Sequence, residues 1–82
     1  MRYTVTWLPI AEDELTNLWI QALDRQAITD ASNRMERTLG RDADQKGIAD
    51  NDRRILIDPP LAFTFTVSPD DRLVTIVWVE IV

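Results

Sequence analysis

Cysteine and histidine are both absent from this 82-residue chain. Without cysteine there is no disulfide framework and no thiolate metal site, which suits a reducing compartment. Without histidine the usual general base, the usual metal ligand and any Ser-His-Asp triad are excluded together. Glycine is scarce, with two residues, so most breaks in regular structure must come from proline and polar turns. Basic residues are outnumbered: 9 Lys+Arg stand against 14 Asp+Glu, a net charge of -5. Broad attachment to nucleic acid needs a basic surface, so only a local basic patch could serve it. No run reaches the roughly 20 apolar residues of a membrane span. The opening "MRYTVTWLPIAEDEL" is apolar too briefly, and acidic too soon, for a signal peptide. These absences predict one cytoplasmic domain over residues 1–82, with no membrane contact, no cofactor and no metal.

A domain of this size buries only about 60–65% of the surface its unfolded chain exposes. It is marginal alone, and a partner that covers apolar surface would stabilise it by mass action.

What is present is strong periodicity. "RYTVTWL" alternates, with Tyr3, Val5 and Trp7 on one side, as a half-buried strand does. Pro9 stops it and suits a first helical position, and Glu12, Asp13 and Glu14 complement the start of a helix dipole. Ala11, Leu15, Leu18, Trp19 and Ala22 then share one helical face. Asp24 is an N-cap for a second helix, whose stripe is Ile28, Ala31, Met35 and Leu39, with Gly40 placed to end it. The polar stretch "GRDADQKGIADND" lacks periodicity and reads as an exposed loop. Three strands follow: Arg53–Ile57, then Leu61–Val67 with its clean alternation, then Arg72–Val82 after the turn Ser68-Pro69-Asp70-Asp71. The order β-α-α-β-β-β predicts a two-layer α+β fold, a helical hairpin packed on a mostly antiparallel sheet.

Chemistry-bearing residues are few. The Asp-rich loop invites a calcium reading, but counting from Asp42 puts Lys46 at the fifth position and Arg53 at the twelfth, where an EF-hand needs ligands. A solvated loop is the simpler reading. Glu80 and Asp58 are the only acids in or beside the sheet core, and nothing pairs them in a cleft. Arg53 and Arg54 are adjacent in a strand and could hold a phosphate; edge arginines that only solubilise are the plain alternative. Trp7 and Trp19 lie on apolar faces and are expected in the core.

Several stretches together resemble the RelE/ParE superfamily of toxins from bacterial type II toxin–antitoxin modules. "YTVTWLPIAEDELTNLW" is similar to the family's opening strand, X-Pro, acidic turn and Leu-x-x-Leu/Ile-Trp. "RRILIDPPLAFTFTVSPDDRLVTIVWV" is similar to its closing strand, turn and hairpin. The resemblance spans essentially the whole chain. It implies a plasmid-stabilisation-type toxin, neutralised by a cognate antitoxin that wraps it with a helix and an extended segment. RelE-like members cleave mRNA on the ribosome with Lys and Arg side chains and a late Tyr or His; ParE-like members act on DNA gyrase. Here Ala62 lies about where the nucleases carry a middle-strand Arg, and the chain runs to "VWVEIV" in place of a basic tail. Tyr3, the only tyrosine, is at the other end. Of the nuclease set, Arg53 and Arg54 are the remaining candidates for a catalytic role. The alternative is a non-catalytic binding protein of the same fold, a gyrase inhibitor or a degenerate toxin.

The last strand carries apolar residues at both parities. Strict period two puts Leu73, Val77, Val79 and Ile81 on one face and Val74, Ile76, Trp78 and Val82 on the other. Two helices cover one face of a sheet. The second set is therefore expected to meet a partner, either an antitoxin or a second copy of the chain.

Overall fold

The computed structural model describes residues 2–82. Its elements are β1 (Thr4–Trp7), α1 (Pro9–Gln21), α2 (Arg25–Asp42), a short 3-10 turn (Ala43–Gln45), β2 (Ile48–Asp50), β3 (Arg53–Asp58), β4 (Leu61–Ser68) and β5 (Leu73–Ile81). The strands form one sheet in the order β1-β5-β4-β3-β2. β1 runs parallel to β5, and the other neighbours are antiparallel. This is the expected two-layer α+β arrangement, with five strands where four were expected.

The helices start and stop for local reasons. Pro9 opens α1, where its missing N–H is no loss. At the other end Arg25 donates from Nε to the Trp19 carbonyl and from Nη2 to the Ile20 carbonyl, supplying donors to the last carbonyls of α1. The Asp24 carboxylate accepts from the Ala27 N–H at 3.1 Å and starts α2. Gly40 does not end that helix, which continues to Asp42. Leu39 and Ala43 are both fully buried four residues apart, so the apolar stripe runs past the glycine. Packing of that stripe outweighs a glycine's disadvantage of about 1 kcal/mol. The Gly40 carbonyl also accepts the Tyr3 N–H at 2.8 Å and ties the helix to the first strand.

The expected loop over residues 40–52 is mostly regular: α2 runs through Asp42, Ala43–Gln45 form the 3-10 turn, and Ile48–Asp50 pair as β2. Gly47, at φ 76°, turns the chain so that Ile48, Ala49 and Asp50 pair with Ile55, Arg54 and Arg53. A Cβ at Gly47 would stand 2.7 Å from the Ile55 carbonyl oxygen. Only glycine fits that approach. Asn51, at φ 58°, turns the chain back into β3, as asparagine tolerates. A strand of three residues is too short to show alternation.

The core lies between the helices and one face of the sheet. Ile28, Ala31, Met35 and Leu39 of α2 meet Leu61, Phe63 and Phe65 of β4 and Val74, Ile76 and Val79 of β5. Trp7 is half-buried, edge-on to Phe63 with centroids 6.2 Å apart, and its indole N–H donates to Glu36.

β5 departs from strict period two. Thr64 pairs with Trp78, but Phe65 pairs with Ile76, so Val77 is an extra residue in the ladder. Such a bulge reverses the parity of everything beyond it. Val74 and Ile76, before it, face the helices and are fully buried, as is Val79 after it. Trp78 and Val82 point away. The four residues expected to share one face are therefore split: two are core and two are exposed. Leu73, expected with the core set, falls on the other side.

Candidate functional site

The helix-free face of the sheet carries the first candidate surface. Register aligns Ile48 with Ile55, Ile55 with Thr64 and Thr64 with Trp78. Directly opposed residues in neighbouring strands stand about 4.5–5.5 Å apart at Cβ, so this is one row across four strands. Ile48 is 66% exposed and Trp78 36%. Beside it, Ile57 pairs with Ala62 and Ala62 with Glu80, and Val82, anchored by its N–H to the Pro60 carbonyl at 3.1 Å, is exposed. The result is a β-branched and aromatic strip with no helix over it and a carboxylate at its rim.

The strand arginines do not converge. Arg54 pairs with Phe65 and so lies at the parity of the covered face, whereas Arg53 lies at the opposite parity. Arg54 is also engaged: Nε donates to the Lys46 carbonyl at 2.6 Å and Nη2 to the Gly47 carbonyl at 3.2 Å. It holds the turn into β2. Alternation in a strand separates neighbours to opposite faces, and that rule turns an apparent arginine pair into one structural clamp and one surface cation.

The lone tyrosine is equally unavailable. Tyr3 is in the core cluster, and its hydroxyl is buried with no hydrogen-bond partner among the described residues. Burial, and next the Asp44 carboxylate, push its phenol above the ordinary range. Asp58 and Glu80 also stand apart. Asp58 is at the covered parity, opposite Leu61, and Glu80 is at the open parity, opposite Ala62. Asp58 accepts a two-pronged contact from Arg34, with Nη2 2.9 Å and Nε 3.1 Å from its oxygens. That bond, more than any other contact, makes the Arg34 guanidinium hold its proton more tightly than usual.

Arg34 belongs to a second surface. Arg34, Arg37, Thr38, Arg41, Asp42, Lys46 and Asp58 line a groove of about 390 Å³ along the last turns of α2. Positions 34, 37 and 41 recur at helical spacing, and that signal was legible in the sequence. A third hollow, of about 230 Å³, lies between the helices and is lined by Leu15, Trp19 and Ile28 among others. Trp19, expected in the core, is 41% exposed there, with the Arg25 guanidinium 4.6 Å from its ring centre. The stripe of α1 is thus only partly covered beside the turn that joins the two helices. The row of Ile48 and Ile55 leaves no mark in the sequence, because a strand as short as β2 shows no alternation. Among the described residues no group of three or more carboxylates gathers as metal ligands would, and no helix is long and apolar enough to cross a membrane.

No protein-family profile and no curated protein matches the chain. Solved structures do. A chain of the RelBE2 toxin–antitoxin complex from Mycobacterium tuberculosis superposes with a TM-score of 0.79 at 14% identity, over 100% of this chain and 93% of that one. A chain of the chromosomal ParDE toxin–antitoxin system of P. aeruginosa gives 0.73 at 15% identity, over 99% and 97%. At such identities the likeness is one of fold, and it runs from end to end: the chain has the RelE/ParE-like fold.

Proposed function

We propose that this chain is the toxin component, or a toxin-derived component, of a two-component toxin–antitoxin module in the bacterial cytoplasm. In this reading its helix-free sheet face receives the second chain. The observation that carries the reading is the row Ile48–Ile55–Thr64–Trp78, exposed at its two ends and half-buried between them, on a fold shared with chains solved in toxin–antitoxin complexes. An apolar strip of this kind on a free monomer is an aggregation hazard. A partner segment laid across it removes that hazard and offsets the small core.

Within this reading, binding rather than RNA cleavage is the favoured mode of action. Cleavage through a 2′-hydroxyl needs a proton acceptor, a proton donor and cations on the developing phosphorane charge. The chain has no histidine, its tyrosine is buried in the core, and Arg54 is tied to two carbonyls. A target such as DNA gyrase suits a protein that acts by occupying a surface; a ribosome-bound mRNA target would need residues the chain lacks.

The test is induced expression with and without the product of the adjacent small reading frame, followed by measurement of the pair's affinity. Growth arrest relieved by the neighbour supports the module. Trp78→Ala weakens association by more than tenfold, as removal of an aromatic anchor at an interface commonly does. Neutral growth without the neighbour, or unchanged affinity in the variant, overturns the reading.

A further inference from the structure

Three of the chain's cations, Arg34, Arg37 and Arg41, stand on one face of α2, and a fourth, Lys46, closes the same groove. A fifth, Arg54, holds Lys46 in place through its carbonyl. Only four of the nine cations lie elsewhere, among most of the 14 acids. More than half of the cations of this acidic protein thus gather around one groove.

We propose that this groove binds a phosphate monoester or diphosphate of nucleotide size, with the phosphoryl oxygens held by Arg37, Arg41 and Lys46. The site is distinct from the open sheet face and does not depend on the partner reading. Arg34 is already matched by Asp58. Its role is to fix the groove wall, because it bridges α2 to the end of β3. Arg37, Arg41 and Lys46 make no ion pair among the described residues, and Asp42 is the only other acid in the lining. A surplus of two positive charges remains. A single carboxylate neutralises half of it; a doubly charged phosphate neutralises it all. Arginine forks suit tetrahedral oxyanions as well as carboxylates, and lysine adds a compact point charge.

The helix dipole accounts for part of the cluster only. A cation in the last turn of a helix is stabilised there, which explains Arg41. The effect fades within one turn, so it does not explain Arg37, and Lys46 lies beyond the helix. A volume of about 390 Å³ falls in the lower part of the range of ligand clefts, about 300–1,000 Å³. The acids that dominate the rest of the surface would repel a long polyanion, so the ligand is short, or only the end of a longer strand enters.

The experiment is calorimetric titration of the full chain at low salt. The probes are inorganic pyrophosphate, a 5′-phosphorylated RNA tetranucleotide, its 5′-hydroxyl counterpart and a tetraglutamate peptide. Pyrophosphate is expected to bind, and the Arg37→Gln/Arg41→Gln variant to lose at least tenfold in affinity, with Arg53→Gln unchanged. A phosphorylated tetranucleotide that binds at least tenfold better than its hydroxyl counterpart assigns the ligand to a strand end; equal, weak binding of both assigns it to a free nucleotide or phosphate. Tetraglutamate binding as tightly as pyrophosphate makes the groove a docking site for an acidic peptide and overturns the proposal. So does failure of pyrophosphate to bind at millimolar concentration, or undiminished binding in the double variant. If that variant fails to fold, amide shifts of the native chain decide: pyrophosphate-induced changes centred on residues 37–46 support the site, and changes centred elsewhere overturn it.

Discussion

Ile76 and Trp78 lie two residues apart on β5 and share a parity, yet they meet different environments. Ile76 is fully buried beneath the helices, opposite Phe65. Trp78 looks out from the other face, opposite Thr64. The extra residue Val77 separates them. One bulge therefore lets a short strand serve two apolar surfaces, an internal core and an external row. It also puts the largest side chain of the strand where the chain covers it only in part. The hydrophobicity of the closing hairpin is thus two separate features, which a uniform alternation merges into one.

Substitution at the two positions breaks the comparison most sharply. Ile76→Ala removes methyl groups from a fully enclosed site and should cost about 2–5 kcal/mol of folding stability. Trp78→Ala should cost about 1 kcal/mol or less of stability, because an exposed position leaves no enclosed cavity, and show its effect in association instead. Chemical denaturation of both variants measures the first quantity. A loss at Trp78 equal to that at Ile76 would mean that the bulge does not divide the strand in this way.

Gly47→Ala comes next in size and tests how the open row is assembled. A Cβ there meets the Ile55 carbonyl at 2.7 Å, on a backbone at φ 76°. Left-handed backbone costs an alanine about 1–2 kcal/mol, and the clash must be relieved by moving β2 off β3. The expected result is a loss of about 1–3 kcal/mol, with faster amide exchange at Ile48 and Ile55 than in the native chain and unchanged protection at Val74 and Ile76. Uniformly faster exchange would show β2 to be part of the core.

The covered layer is legible in the sequence. The stripe of Ile28, Ala31, Met35 and Leu39 and the alternation of Leu61, Phe63 and Phe65 are long enough to express their periods, and all seven are buried. The open layer is not. β2 is three residues long, Val77 changes parity without any glycine or proline to mark it, and Arg53 and Arg54 look like a pair until alternation is applied. Gly40 misled for a related reason: it signals a helix end locally, but Ala43 extends the buried stripe beyond it. The groove of Arg34, Arg37 and Arg41 was visible as a helical spacing. Its closure by Lys46 was not, since that depends on the Arg54 clamp.

Tyr3 offers the smallest effect and the finest test of the covered side. It is the only tyrosine, and its hydroxyl is the one buried side-chain polar atom without a partner among the described residues. A buried phenol resists ionisation because burial penalises the anion, and Asp44 adds repulsion. The folded pKa thus lies above the unfolded value of about 10. The folded state then binds the phenolic proton more tightly than the unfolded state. The stability linked to this group is fully present below about pH 10 and is lost as pH rises through the folded value. Ultraviolet titration of the native chain should accordingly show tyrosinate appearing at a higher pH than in denaturant, where the midpoint returns to about 10. Tyr3→Phe removes an unsatisfied hydroxyl from the interior. Its melting temperature should equal or slightly exceed the native one at neutral pH, and it should decline less steeply above pH 10. A native midpoint at or below that of the denatured chain would place the Tyr3 hydroxyl in contact with solvent, and the covered side would then have an opening beside β1.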